Sequence, residues 1–167
     1  MNLMYKIMRR KSKIQPILEE IGIEEGELIL DYAAGPGYYS ILAADMVGAE
    51  GMVYAVDIHP MAIKYIKKNA EKKELNNIEA IQTNCKTGID GKNIDKVLLF
   101  DCFHHFENPE IILNELARVL KDDGILALLI EHNVPHEAIK KIEELDEFSF
   151  LGERGKKKKI QLFKKIP

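Results

Sequence analysis

The amino-acid sequence predicts an α/β fold: a mostly parallel sheet with helices on both faces and a C-terminal antiparallel hairpin. Short apolar runs alternate with amphipathic stretches five times along the chain. In such an order each strand returns to the sheet through a right-handed helical crossover. The last two apolar runs, 147–152 and 158–166, are separated only by a short stretch containing Gly155, which is typical of a hairpin.

Apolar spacing, glycine and proline set the predicted boundaries. Apolar residues at 14, 17, 18 and 21 predict a helix with Pro16 in its first turn and Gly22 after its end. A helix starting at Pro60 has a predicted buried face of Met61, Ile63, Tyr65, Ile66 and Ala70. The other predictions are strands 28–31, 52–56, 78–82, 94–100 and 125–130, and helices 38–47, 108–120 and 135–145.

Composition indicates one globular domain. The chain has 167 residues, 46% apolar and 31% charged, and its longest apolar run, 125–130, is too short to span a bilayer. The N-terminus has no apolar signal-peptide segment, and Cys85 and Cys102 lack C-x-x-C spacing, so we expect a cytoplasmic protein with reduced thiols. We expect a single domain over 1–167, with a helical lid segment at 1–26 and a core at 27–167.

The turn after the first strand is the predicted binding site. Gly35 and Gly37 allow a sharp bend with no side chain between backbone and ligand, and ligands of open α/β sheets lie at the carboxyl ends of the strands. A dinucleotide site needs a third glycine, but Ser40 stands there, and Asp31 would repel a pyrophosphate. The same carboxylate would attract a cationic amino-acid ligand. A turn whose glycines serve geometry alone is the third interpretation.

The stretch 28–40 resembles the first motif of class I S-adenosylmethionine-dependent methyltransferases, in which an acid precedes a G-x-G turn. This resemblance implies a Rossmann-like seven-stranded sheet whose last strand is antiparallel beside the fifth. It also implies that Asp31, Ala33, Gly35 and Gly37 bind the cofactor. Ala33 stands where the family usually has glycine, and we expect its backbone dihedral angles to be ordinary.

Further cofactor contacts are expected after the second, third and fourth strands. Asp57 can accept hydrogen bonds from both hydroxyls of a ribose, although a nicotinamide cofactor also carries a ribose. Capping the next helix is the alternative role of Asp57. Ile58 would form an apolar wall for the adenine. The resemblance implies that Asn84 accepts from the adenine amino group, where relatives often have Asp, and that Cys85 and Phe100 belong to the wall.

The segment around the fourth strand carries the most specific resemblance. Residues 95–109 and 113–124 resemble the fourth-strand motif of the ubiquinone/menaquinone-biosynthesis branch of this family: an apolar-His-His turn, a helix opened by proline, Glu-x-x-Arg-Val-Leu-Lys and a glycine turn. We interpret Glu115 and Arg118 as a structural pair at i, i+3 on that helix. The resemblance covers the chain from about residue 27 to its end.

Asp101, His104 and His105 are the catalytic candidates because they would face the methyl donor. Histidine titrates near neutral pH and can take a proton from a nucleophile. We favour Asp101 and His104 as bases and interpret His105 as a scaffold residue. Methyl transfer also proceeds without a base when donor and acceptor are held in line. The remaining histidines lie apart in sequence, so we expect no metal site.

We expect methyl transfer from S-adenosylmethionine to a small-molecule acceptor. Lysines and arginines cluster at 6–13 and 154–165, and the predicted hairpin turn lies on the cofactor side, which suggests an anionic acceptor or an RNA. A solvated lysine-rich surface is the alternative interpretation. Two other functions stay open at this point: an NAD(P)-binding oxidoreductase, and a non-catalytic S-adenosylmethionine-binding or interaction module.

Overall fold

The computed structural model describes residues 3–130, 136–156 and 158–167, with the backbone alone for residues 3–11. The helices are α1 (Leu3–Ile21), α2 (Tyr38–Val47), α3 (Pro60–Lys72), α4 (Pro109–Val119) and α5 (His136–Glu143). The strands are β1 (Leu28–Tyr32), β2 (Met52–Asp57), β3 (Ile78–Gln82), β4 (Ile94–Phe100), β5 (Leu120–Leu129), β6 (Phe148–Arg154) and β7 (Ile160–Lys165). A 3₁₀ turn, Phe103–His105, follows β4.

The strands form a seven-stranded sheet in the order β3-β2-β1-β4-β5-β7-β6. Strands β1 to β5 run parallel, and β7 runs antiparallel between β5 and β6. The predicted fold class, including the hairpin and its antiparallel strand beside the fifth, is confirmed. Because β6 has the direction of β5, the β6–β7 turn lies at the carboxyl edge of the parallel strands, as expected.

Helices cover both faces of the sheet, as predicted. One apolar cluster joins α4 and α5 to residues such as Leu30 and Leu99. A second cluster joins α1 and α2 to Ile29 and Leu98, and α3 packs on Ala55 of β2. Neighbouring residues of β1 and of β4 therefore enter opposite clusters, as the two-residue period of a strand requires. Burial on both faces explains why these strands are continuous apolar runs.

The first helix is longer than predicted. It begins at Leu3, so Pro16 lies inside it and not in its first turn. A proline removes one backbone hydrogen bond from a helix, and α1 continues through it because Ile17, Leu18 and Ile21 beyond the proline are buried. Gly22 follows the last helical residue with φ 74°, as predicted for a C-terminal stop.

Two predictions about side chains and boundaries are corrected. On α3, Met61 and Tyr65 are 55% and 49% exposed, because Ala62, Ile63, Ile66 and Ala70 form the buried face. The fifth strand begins at Leu120 and not at 125, because residues 122–124 are absorbed as an irregularity in the pairing with β4. Asn108 occupies the N-cap position of α4 without a side-chain capping hydrogen bond. The predicted start of the last helix, Pro135, lies outside the described residues.

Candidate cofactor and acceptor site

The loop between β1 and α2 bends through three residues in the left-handed backbone region: Ala33 (φ 60°), Gly35 (54°) and Gly37 (76°). The expectation that Ala33 has ordinary dihedral angles is therefore wrong. A left-handed conformation costs a residue with a Cβ about 1–2 kcal/mol, so this turn holds Ala33 in strain. The backbone N–H of Ala34 donates to the carbonyl of Val56 over 2.9 Å and ties the loop to β2.

The two glycines of this loop have different surroundings. A Cβ on Gly37 would lie 2.6 Å from Cγ1 of Ile66, which is buried on α3. Gly37 thus allows the loop to pack closely against α3. A Cβ on Gly35 would meet nothing within 4 Å. The open space beside Gly35 suits a ligand that approaches the backbone.

Asp57 connects this loop to the start of α3. One carboxylate oxygen accepts a hydrogen bond from the backbone N–H of Gly35 over 2.8 Å, and the other accepts from the backbone N–H of His59, also over 2.8 Å. Each carboxylate oxygen has a second lone pair. Asp57 can therefore hold the loop and still accept from two ligand hydroxyls. The bond from His59 joins the carboxylate to the N-cap residue of α3, and the alternative role of Asp57, capping the Pro60 helix, stays a prediction.

Asp31 lies beneath the loop. It is 2% exposed, and its carboxylate accepts a hydrogen bond from the Ser40 hydroxyl in the first turn of α2. Burial raises the pKa of Asp31 to about 6, although the hydrogen bonds with Ser40 lower it. Ser40 stands where a dinucleotide-binding loop has its third glycine, and here its side chain joins β1 to α2.

A cavity of about 860 Å³ opens at the carboxyl ends of β1, β2 and β4. Six predicted cofactor residues form part of its wall: Ala33, Asp57, Ile58, Asn84, Cys85 and Phe100. Asp31, Gly35 and Gly37 lie outside the wall. The fold therefore brings together side chains from four separate loops, as expected for a ligand at the strand ends.

Sequence reasoning missed several wall residues: Tyr32, Thr83, Phe106, Glu107, Ile111 and Ile112. Tyr32 follows Asp31 at the end of β1, and its hydroxyl donates to the carbonyl of Cys85 over 3.3 Å. Their positions along the chain could have identified them, because residues at strand ends and in the first turn of α4 share one edge of the sheet.

A buried network fixes the loop that follows β3. The carboxylate of Glu115 on α4 accepts from the backbone N–H and the hydroxyl of Thr87 over 2.8 and 2.7 Å, and from Arg118 over 2.8 Å. Arg118 also donates to the carbonyl of Ile89 over 2.9 Å. The hydrogen bond with Arg118 lowers the pKa of Glu115 to about 2. The predicted i, i+3 pair thus also connects α4 to the loop that carries Asn84.

The catalytic candidates occupy the 3₁₀ turn and the residue after β4. Asp101 and His105 belong to the cavity wall, whereas His104 does not. Asp101 has φ 52°, and its backbone N–H donates to the Leu129 carbonyl over 2.7 Å, which fixes this sharp bend. The backbone N–H of His105 donates to the carbonyl of Cys102 over 2.9 Å. The structure therefore places His105, and not its neighbour, beside the cavity.

The two thiols have different surroundings. Cys102 is buried, and its Sγ donates to the carbonyl of Tyr32 over 3.7 Å. Burial raises the pKa of the Cys102 thiol, so it stays protonated at neutral pH. Cys85 is half-buried in the wall. In the described part of the chain, no three His, Cys, Asp or Glu residues lie close enough to hold a metal ion, and no helix there is long and apolar enough to cross a membrane.

Known proteins are similar to this chain in sequence. A protein of Sulfolobus acidocaldarius named "probable cobalt-precorrin-6B C(15)-methyltransferase (decarboxylating)" is 29% identical over 152 residues, which are 89% of this chain and 76% of the relative. Demethylmenaquinone methyltransferase of Geobacillus stearothermophilus is 24% identical over 130 residues, 77% of this chain and 56% of the relative. The chain thus spans only about half of that second relative.

A solved structure supports the fold. A SAM-dependent methyltransferase from Aquifex aeolicus matches with a TM-score of 0.81 and 24% identity, over 98% of both chains. A family model described as a methyltransferase domain matches residues 23–164. The matched region includes the glycine loop, the Asp57 carboxylate and the whole cavity wall. The chain therefore belongs to the methyltransferase-domain family, as its S-adenosylmethionine-dependent methyltransferase motifs predict.

Proposed function

We propose that this S-adenosylmethionine-dependent methyltransferase binds donor and acceptor side by side in the 860 Å³ cavity and methylates a small molecule there. Pockets for small ligands are typically about 300–1,000 Å³, and this volume lies in the upper part of that range. The named relatives point the same way, since their names give a precorrin and a demethylmenaquinone as acceptors. The ubiquinone/menaquinone-like branch is the one expected from the fourth-strand motif.

The bond between Asp57 and Gly35 is the observation that carries this proposal. It places a carboxylate with spare lone pairs beside a glycine whose Cβ position is open. A ribose on Asp57 would leave the adenine against Ile58, which is 56% exposed although apolar. Asn84 and Cys85 would complete the adenine pocket from the β3 side, and Ala33 and Phe100 would border the methionine part. These residues fit the cofactor.

Asp31 acts indirectly in this proposal. Its side chain is buried beneath the glycine loop, so it supports the backbone of Gly35 and Gly37 through Ser40. Its negative charge still favours the ammonium group of the methionine part from below. When bound, S-adenosylmethionine supplies an activated methyl group on a sulfonium. Alignment of the acceptor with that methyl supplies most of the catalysis, with Asp101 and His105 as candidate bases and His104 one residue removed.

The proposed domain organisation is one domain over 1–167 with a core at 27–167 and a helical segment at 1–26. The later part of α1 packs with α2 and β7 through Ile17 and Leu18. A lid function would therefore fall to the start of the segment. The basic residues 6–11 belong to that part, and Arg154 and Lys156 on the hairpin lie outside the cavity wall. The expectation of an anionic acceptor or an RNA depends on those charges alone.

Calorimetric titration and a transfer assay test the proposal. We expect S-adenosylmethionine and S-adenosylhomocysteine to bind and NAD(P) not to bind, and labelled methyl to appear in a small-molecule extract. Binding of NAD with no binding of S-adenosylhomocysteine would favour the oxidoreductase. Binding of S-adenosylhomocysteine without transfer to any acceptor would favour a non-catalytic module. Glu79→Ala, on the exposed side of β3, is the control for Asp57→Ala in the titration.

A further inference from the structure

The charges of the cavity wall identify the class of acceptor. We propose that the acceptor is a small amine that is methylated on nitrogen. This inference rests on the proposed function for the donor and the cavity, and it adds what the acceptor must be. It differs from the expectation of an anionic acceptor, which came from basic residues at the two ends of the chain.

The wall carries negative and no fixed positive charge. Asp57, Asp101 and Glu107 contribute carboxylates, and no lysine or arginine from the described part of the chain belongs to the wall. His59 and His105 are the bases there. An acceptor with a carboxylate or phosphate would meet like charges, whereas an ammonium group would meet opposite charges.

In this proposal two of the three carboxylates face the acceptor. Asp57 is occupied by Gly35 and His59 and, in the proposed function, by the ribose. Asp101 and Glu107 stand at the two ends of the segment that follows β4, with the 3₁₀ turn between them. The left-handed backbone of Asp101 fixes the start of that segment.

Aromatic rings complete the recognition of a cation. Tyr32 and Phe106 both belong to the wall and meet edge to face, with ring centroids 6.0 Å apart and planes at 88°. Phe100 contributes a third ring, which Tyr39 holds edge to face at 4.8 Å. Ring faces attract ammonium groups. Carboxylates and aromatic rings in one wall favour an amine over a neutral alcohol.

The side chains of an adjoining cavity do not change the net negative charge that an acceptor would meet. It shares Asn108 and Ile111 with the main cavity and has a volume of about 560 Å³. Its wall contains Lys141, but Glu110 and Glu144 stand in the same wall. A longer acceptor that extends from one cavity into the other would thus still meet more carboxylates than ammonium groups.

The chemical step balances with groups that the wall provides. The bound ammonium group first gives a proton to His105 or Glu107, which frees the nitrogen lone pair. That lone pair forms a bond to the methyl carbon, and the carbon–sulfur bond breaks with its electron pair going to sulfur. The methylated nitrogen then carries the positive charge. The carboxylates stabilise that charge as it develops.

The acceptor class can be tested with sets of compounds that share a carbon skeleton and differ in one end group. The purified protein is incubated with deuterium-labelled methyl donor and with 2-phenylethylamine, tyramine and dodecylamine, alongside the corresponding alcohols, carboxylates and alkyl phosphates. Mass spectrometry then reads the labelled products. We expect label in the amines, at least about tenfold above every other set, since a charge-assisted contact is stronger than a neutral one. Label mainly in carboxylates, phosphates or added tRNA, or in no amine, overturns the inference.

A charge variant provides the second readout. Glu107→Gln should lower kcat/KM for the labelled amine about tenfold and leave binding of S-adenosylhomocysteine unchanged. The matched control is Glu137→Gln, an exposed residue of α5 outside both cavity walls. Equal kcat/KM values in the two variants would contradict the role of Glu107. If the wild-type protein does not bind S-adenosylhomocysteine, the proposed function itself is wrong. This result distinguishes a failure of the proposed function from a failure of the amine proposal.

Discussion

The carboxylate of Asp57, at the end of β2, accepts a hydrogen bond over 2.8 Å from the backbone N–H of Gly35 in the loop that follows β1. The same carboxylate accepts from His59 at the start of α3. The residue expected to hold the ribose therefore also shapes the loop against which the cofactor rests. Ligand binding and stability are coupled at this position.

Asp57→Ala should weaken binding of S-adenosylhomocysteine and also destabilise the protein without ligand. Two backbone N–H groups lose their acceptor, which costs about 1–3 kcal/mol in the free energy of unfolding. Calorimetry measures the first effect and urea unfolding the second. Glu79→Ala should change neither. An Asp57→Ala protein with wild-type stability would show that water replaces the carboxylate without cost.

Gly37→Ala and Gly35→Ala should differ. At Gly37 the added Cβ is strained by its φ and meets Ile66 at 2.6 Å, so we expect a loss of about 2–4 kcal/mol in the free energy of unfolding. At Gly35 only the backbone strain acts, and we expect about 1–2 kcal/mol, with the larger effect on cofactor affinity. Urea unfolding compares the pair. Equal destabilisation would argue against the tight packing of Gly37 on α3.

Ala33→Gly should leave the stability of the fold almost unchanged, whereas Ala33→Val should lower it. Its φ of 60° strains any residue with a Cβ, so Ala33→Gly relieves strain and loses chain entropy in about equal amounts, which leaves stability within ~1 kcal/mol of wild type. A branched Cβ at this φ should destabilise by more than about 2 kcal/mol in Ala33→Val. Thermal unfolding of the two variants checks this. A Val variant as stable as the Gly variant would mean that the loop relaxes.

Much of the fold was predictable because local signals agree with the topology. The apolar run 94–100 is a strand with those bounds, and β3 covers 78–82 as predicted. Short length and flanking turn residues distinguish such runs from buried helix segments, because periodicity alone does not. The errors have physical causes. Pro16 was interpreted as a helix start because the cost of one missing hydrogen bond was weighed without the burial of Ile17 and Leu18 on the sheet.

The site was predictable where a residue ends a strand and less so where tertiary contacts decide. Asp57 and Ile58 could be predicted as site residues because they stand at the carboxyl end of β2. The strain at Ala33 was not predictable, because the sequence does not show that an alanine has a positive φ. For Glu115 the sequence predicts the i, i+3 pair with Arg118 but not the bonds to Thr87, because these join residues that are 28 positions apart.

Asp31 should make the fold less stable above pH 6. Burial raises its pKa from 3.8 to about 6, so the folded state favours the protonated form. Ionisation therefore destabilises the fold above pH 6, and this effect disappears as the pH falls from 6 to 3.8. Asp31→Asn should be more stable than wild type at pH 8, by about 1–3 kcal/mol, with the difference gone at pH 4. Asp90→Asn, at an exposed site, is the control. A constant difference between pH 4 and 8 would exclude titration of Asp31 as its cause.

Ionisation of Glu115 should stabilise the fold, whereas ionisation of Asp31 destabilises it, and its effect should appear at lower pH. Hydrogen bonds from Arg118 lower its pKa from 4.5 to about 2. A carboxyl with a lowered pKa in the folded state stabilises the fold fully above pH 4.5, and this stabilisation is lost as the pH falls from 4.5 to 2. It amounts to about 3 kcal/mol. Urea unfolding from pH 2 to 6 should show this slope in the wild type and lose it in Glu115→Gln.

The same variant tests whether the Glu115 network positions the adenine pocket. Loss of the charge weakens the bonds to Thr87, and the loop that carries Asn84 should become less well ordered. At pH 7, where the variant is folded, we therefore expect the affinity for S-adenosylhomocysteine to fall about three- to tenfold, since one charge-assisted bond is worth more than a neutral one by about 1 kcal/mol. Glu110→Gln at the start of α4 changes a carboxylate outside the network and should keep the wild-type affinity. A Glu115→Gln protein that binds S-adenosylhomocysteine like the wild type, yet has lost its acid slope, would limit Glu115 to stability.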